Sequence, residues 1–187
     1  CVIATHANEA LALLDDADQP ERSLLGSFSY AKNETYLHTD ARLMPKRKRA
    51  WSSWNYVGDE CSQRLSVSYW MNRLQPLTTK NDYFVTLNPW RSIAVDHIIK
   101  RVNYEHPLFD VQAMTAQRDL WLLQGRRRTW FAGSYFGYGF HEDGLQSGLA
   151  VAEDLGGMRR PWSVEGARDR ILSPAARQFP QQLEAAQ

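Results

Sequence analysis

Between Glu34 and Tyr104 the segments "ETYLHTD", "AWSSWNYVG", "RLSVSYW", "DYFVTLNP" and "DHIIKRVNY" follow one another, separated by turn-rich or charged stretches. Short runs rich in β-branched and aromatic residues are strands, and short connections make successive strands antiparallel neighbours. In "RLSVSYW", Leu65, Val67 and Tyr69 alternate with Arg64, Ser66 and Ser68, which predicts a strand with one buried face. On both sides of this block the hydrophobic period changes. "CVIAT" reads as a strand with Val2 and Ile3 buried, and Ala10, Leu11, Leu13 and Leu14 form the stripe of a short helix that Asp15 and Asp16 end. "PERSLLGSFSY" starts a second helix with Pro20 near its first turn, and "MNRLQPL" adds a helical turn before Pro76. Beyond His106 and Pro107, "VQAMTAQRDLWLLQG" puts Met114, Leu120, Trp121, Leu122 and Leu123 on one broad helical face that ends at Gly125. The expected class is α+β, a mainly antiparallel sheet inserted between strand-helix pieces of an α/β lobe.

Several function classes are disfavoured at once. With 22 Lys and Arg against 21 Asp and Glu, the net charge of +1 gives no global field to attract nucleic acid or an anionic membrane. No apolar run reaches the length of a membrane span, so no membrane span is expected. Cys1 and Cys61 lack the number and spacing of a disulfide framework or zinc site, which points to a reducing cytoplasm. His6, His38, His97, His106 and His141 include no pair at the spacing of a helical metal site, so no metal is expected. The basic runs at 46–49 ("KRKR") and 126–128 ("RRR") read as a solvated hairpin and a helix-to-strand turn; the competing reading is a phosphate-binding surface. "CVIAT" carries no initiating Met, charged leader or signal-peptide architecture, and reads as a chain entered in mid-fold.

The segment "TWFAGSYFGYGFHEDGLQSGLAVAEDLGG", Thr129 to Gly157, joins a short apolar strand to an alanine-rich helix through a loop of glycines and aromatic residues. Gly133, Gly137, Gly139 and Gly144 allow positive φ and close approach of a flat ligand. Glu142 and Asp143 fall where the helix starts. Two readings stand: acids that cap the helix and complement its dipole, or a loop whose free N–H groups bind an electron-rich ligand edge.

The ordered set "VIATHANEALALL", "HTDARLMP", "WSSWNY", "YWMNRLQ", "FVTLNP", "HPLFD" and "GYGFHEDGLQSG" resembles the FAD-dependent amine oxidase superfamily, in its bacterial NAD/FAD-binding, flavin-containing amine oxidase-like branch. The resemblance covers roughly residues 1–160 and implies a discontinuous FAD-binding lobe: residues 1–30 and 113–160 in that lobe, 31–112 in a substrate lobe, and 161–187 as a tail. It further implies a flavoprotein oxidoreductase, oxidase or dehydrogenase, acting on a small-molecule amine or lipid-like substrate. FAD would be held by Gly133 and Ser134 near the ribityl or phosphate end, and by Phe140, His141, Glu142, Asp143, Gly144 and Leu145 around the isoalloxazine. Trp54, Tyr56 and Tyr138 are the implied substrate-side aromatics; no catalytic residue is assigned.

Two departures accompany the resemblance. The pyrophosphate fingerprint "GxGxxG" does not occur, so the remaining N-terminal FAD-binding part of a longer parent is an expected partner. Where the superfamily carries an acid after "AG", this chain has Ser134 and Tyr135. The competing expectation is a non-catalytic ligand- or partner-binding module of the same fold, inactive as an isolated chain. Substrate class is left between amine and apolar molecule.

Overall fold

The computed structural model describes residues 1–58, 65–156, 161 and 171. Cys61 and the tail after Gly156, apart from Pro161 and Ile171, lie outside the described residues. In chain order the elements are β1 (Val2–Ile3), α1 (Ala7–Ala12), α2 (Gln19–Leu25), β2 (Ser29–His38), β3 (Trp54–Gly58), β4 (Leu65–Trp70), α3 (Met71–Leu74), β5 (Phe84–Leu87), β6 (Ile98–Leu108), α4 (Val111–Gln117), β7 (Trp130–Phe131) and α5 (His141–Gly156). The fold is α+β: helices, a mostly antiparallel five-stranded sheet and a small parallel one. It divides into two compact units, Cys1–Tyr30 with Pro107–Gln187, and Ala31–His106.

In the first unit β1 and β7 run parallel, with Val2 opposite Trp130 and Ile3 opposite Phe131. The N–H groups of Trp130 and Ala132 donate to the carbonyls of Cys1 (2.9 Å) and Ile3 (3.0 Å). On the other side of β7 the Gln124 amide takes the place of a strand, donating to the Phe131 carbonyl (2.6 Å) and accepting from its N–H (2.7 Å). Ile3, Ala7, Ala10, Leu25, Phe28, Leu120, Leu123, Phe131 and Tyr135 make the core beneath them. Helix α2 starts from a capping box in which Asp18 accepts from the Glu21 N–H (2.9 Å) and the Glu21 carboxylate accepts from the Asp18 N–H (2.7 Å). Asp110 caps α4 by accepting from the Ala113 N–H at 2.8 Å.

The helical face expected over 111–125 is interrupted. Helix α4 stops at Gln117, a 3₁₀ turn covers Leu120–Leu123, and Gly125 turns the chain at φ +74°. With three residues per turn, Leu120 and Leu123 share the buried side, while Leu122 is left exposed. The "RRR" run is the turn into β7: Arg126 pairs with Asp18, and Arg127 with Asp16 and Glu21, while Arg127 and Arg128 adopt left-handed backbone. Two of the three arginines of the run are thus already paired with acids.

The second unit is a sheet of order β3-β4-β5-β2-β6. Along its antiparallel register Asn55 faces Ser68, Ser68 faces Thr86, and Trp70 faces Phe84. The buried face is not the apolar one. Ser66 and Ser68 are 1% exposed, whereas Val67 and Tyr69 are only half-buried and Trp54 and Tyr56 are exposed. Hydroxyls tolerate burial when they are hydrogen-bonded: Ser68 Oγ pairs with Thr86 Oγ1 (2.7 Å), which also meets His38 Nε2, and Ser66 Oγ donates to the Leu87 carbonyl (3.3 Å). Next to this polar strip Met44, Trp51, Trp70 and Phe84 form a small aromatic cluster.

Candidate functional site

The glycine-aromatic loop begins where β7 ends. Ser134–Phe136 form a 3₁₀ turn that turns Tyr135 and Phe136 into the core, where the Tyr135 hydroxyl has no hydrogen-bond partner among the described residues. Burial pushes its pKa up, so it is a neutral phenol. Three side chains then pin the loop. The buried Gln117 amide donates to the carbonyls of Tyr135 (2.9 Å) and Gly137 (2.5 Å). The Asp143 carboxylate accepts from the N–H groups of Tyr138 (3.0 Å) and Phe140 (2.8 Å). The Ser147 hydroxyl accepts from the Gly133 N–H (3.0 Å) and faces the carbonyls of Gly144 (2.9 Å) and Gly133 (3.1 Å).

The glycines have different reasons to be glycine. Gly137 lies against Asp143, whose carboxylate a Cβ would strike, and Gly139 is left-handed at φ +90°. Those two serve the turn. Gly144, in the first turn of α5, is different: a Cβ there would find only the Ser134 N–H atom pair, its nitrogen 3.8 Å away, which is ordinary contact. Among the described residues nothing demands a glycine at this point, although glycine weakens a helix relative to alanine.

Around Gly144 the surface carries Tyr138, Phe140 and Leu145, each more than half exposed. His141 and Glu142 are exposed and open α5, and their N–H groups precede its first backbone bond, from Asp143 to Phe140. The loop therefore brings Gly133, Ser134, Tyr138, Phe140, His141, Glu142, Gly144 and Leu145 to one end of α5. The Asp143 side chain is fully buried, and its Oδ2 holds the loop. Trp54 and Tyr56 belong to the sheet unit, two residues apart on one face of β3, with Trp54 edge-on to Tyr69 at 5.2 Å.

One polar constellation was not singled out from the sequence. The Asp40 N–H donates to His38 Nδ1 (3.0 Å), which puts the imidazole proton on Nε2. Nε2 donates to Thr86 Oγ1 (2.8 Å), and that hydroxyl shares a hydrogen bond with Ser68 Oγ (2.7 Å). Burial pushes the His38 pKa down to about 4, so the ring is neutral. The Asp40 carboxylate is bound by the Arg42 guanidinium (2.6 and 2.9 Å), which holds it well below the usual carboxylate range. A ring nitrogen that already bears the proton cannot take one from Ser68 or Thr86, so this is no nucleophile-base pair. Among the described residues no group of three or more His, Cys, Asp or Glu could hold a metal ion. Nor is any described helix long and apolar enough to cross a membrane.

The chain matches no protein-family model, and no curated protein matches it significantly.

Proposed function

We propose that this chain is the C-terminal part of an FAD-dependent, amine oxidase-like oxidoreductase of the cytoplasm, with the loop at the start of α5 as its flavin surface. The observation that carries the reading is Gly144: a helical glycine with free space above it, flanked by exposed Tyr138, Phe140 and Leu145. Bare backbone of this kind lets a flat ring approach a helix end, where the N–H groups of His141 and Glu142 donate to its electron-rich edge. Gly133 and Ser134 serve the ribityl or phosphate side, Ser134 offering a hydroxyl where the amine oxidase superfamily carries an acid. FAD supplies hydride acceptance; the protein binds, orients and excludes water. Pyrophosphate contacts come from the N-terminal FAD-binding part of the parent, because these 187 residues hold no "GxGxxG".

The substrate we favour is apolar. The open face of the sheet presents Trp54, Tyr56, Val67, Tyr69, Val85 and Leu87 without a charged side chain between them, a surface suited to a lipid-like molecule. Gel filtration of the parent and of this chain, each loaded with FAD, tests the cofactor reading. The parent is expected to elute yellow and the chain colourless. A colourless parent would refute the flavin assignment, and stoichiometric FAD on the chain alone would refute the divided site.

A further inference from the structure

The net charge of +1 hides an asymmetry. Ala31–His106 holds twelve Lys and Arg against seven Asp and Glu, a balance of +5, which leaves −4 (ten against fourteen) for the rest of the chain. Six of those twelve cations fall in two segments, 45–58 and 71–83, whose one acid is Asp82. We propose that these segments form a docking surface for an anionic phospholipid bilayer.

The two segments are joined by their own contacts. Lys48 pairs with Asp82 (2.9 Å) and lies over the rings of Trp51 and Trp70, while Arg73 donates to the Trp51 carbonyl (3.0 Å). The Trp70 indole N–H donates to the other Asp82 oxygen at 2.9 Å, so the acid is fully engaged. That leaves Lys46, Arg47, Arg49 and Lys80, all exposed and, among the described residues, in no salt bridge. Leu74 at the end of α3, and Pro76 and Leu77 in the loop that leads to Lys80, are exposed as well. Cations without partners next to protruding aliphatic side chains match an anionic interface, with charges at the phosphates and apolar groups at the headgroup-acyl boundary. A nucleic-acid backbone would engage the cations and leave Leu74 and Leu77 uncovered. The bilayer is therefore favoured. This surface is independent of the flavin reading, since none of its residues belongs to the loop at α5.

The test is sedimentation of the 187-residue chain with phosphatidylcholine vesicles, pure or containing about one third phosphatidylglycerol. Binding to the anionic vesicles alone is expected, and it should weaken as salt rises from about 0.1 M to about 1 M and the Debye length shrinks from ~10 to ~3 Å. With each Lys or Arg near the surface contributing about fivefold, the triple change Lys46→Gln, Arg47→Gln and Arg49→Gln should lower the partition coefficient about a hundredfold. Leu74→Ser with Leu77→Ser should lower it while leaving the salt dependence as it was. Circular dichroism melts check that the variants fold; were the triple variant unfolded, the salt titration of the unaltered chain decides in its place. Three results would overturn the proposal: salt-insensitive binding, equal binding to pure phosphatidylcholine, or a folded triple variant that binds as tightly as the parent sequence. Retention on duplex DNA without retention on vesicles would also overturn it and assign the surface to nucleic acid.

Discussion

Replacing Gly144 by alanine separates the needs of the fold from those of a ligand. A glycine inside a helix costs ~1 kcal/mol relative to alanine. Position 144 lies in the first turn of a sixteen-residue helix, and the added Cβ would meet only the Ser134 nitrogen at 3.8 Å. No contact is lost and no atom must move. The isolated chain should therefore gain about 0.5–1 kcal/mol, raising Tm by about 1–4 °C for a chain of this size. Gly148, with nothing within 4 Å of its own Cβ position, should respond in the same way and serves as the reference for helix propensity alone. Thermal melts by circular dichroism measure both. In the FAD-loaded parent the Gly144→Ala change should instead lower flavin retention, and the bulkier Gly144→Val should abolish it with secondary structure largely kept. A lower Tm for Gly144→Ala would refute the argument from free space. A higher Tm with undiminished flavin would refute the argument that this backbone is bare for a ligand.

Asp143→Ala removes the acceptor of two loop N–H groups and should cost about 2–3 kcal/mol in urea unfolding, with Asp143→Asn costing less because one oxygen survives. The His38 imidazole is held neutral by burial, with its pKa down at about 4 against an ordinary 6.5, so between those values the unfolded chain binds a proton that the folded chain does not. Stability should accordingly be full above pH 6.5 and fall as the pH drops to about 4, by at most about 3 kcal/mol, and His38→Gln should flatten that slope. Asp40, held low by Arg42, titrates below this window and leaves it to His38. In the parent, anaerobic flavin reduction should proceed with apolar substrates and slow in Phe140→Ala; rapid reduction by a simple amine, lost in that variant, would refute the apolar preference.

The strands of the sheet were legible because alternation and turn residues are local: all five segments quoted between residues 34 and 104 carry a strand of the sheet. Pro20 marked the start of α2 and "HEDG" that of α5 for the same reason. Alternation does not reveal which side faces inward. In β4 the serine side is buried because Ser68 bonds to Thr86, which in turn bonds to His38, residues 18 and 30 positions away from Ser68, and no window on one strand contains that network. The interruption after Gln117 was hidden because Leu120 and Leu123 satisfy a 3.6-residue period nearly as well as a 3₁₀ turn. At the loop, composition announced an unusual backbone, but it could not divide Gly137 and Gly139, which the turn itself needs, from Gly144, which the fold leaves free. Nor could it reveal Asp143 as the loop's internal clamp, since that role depends on where the N–H groups of Tyr138 and Phe140 point.

The Gln124 amide has a consequence for how the small sheet can grow. Along β7, Trp130 and Ala132 turn their N–H groups to β1, while the N–H and carbonyl of Phe131 point the opposite way and are both occupied by Gln124. That margin is sealed by a side chain, in the way a terminator caps a polymer. On β1 the carbonyls of Cys1 and Ile3 face β7, so the alternating backbone of Val2, itself half exposed, is turned outward. Among the described residues no strand pairs with it. Two strands of two residues are a poor sheet by themselves. Any further strand is thus directed to one side only: it must register on Val2, extending the sheet away from Gln124. The small sheet has one margin sealed by a side chain and, among the described residues, one open margin, and a strand added to it would lie beside Val2.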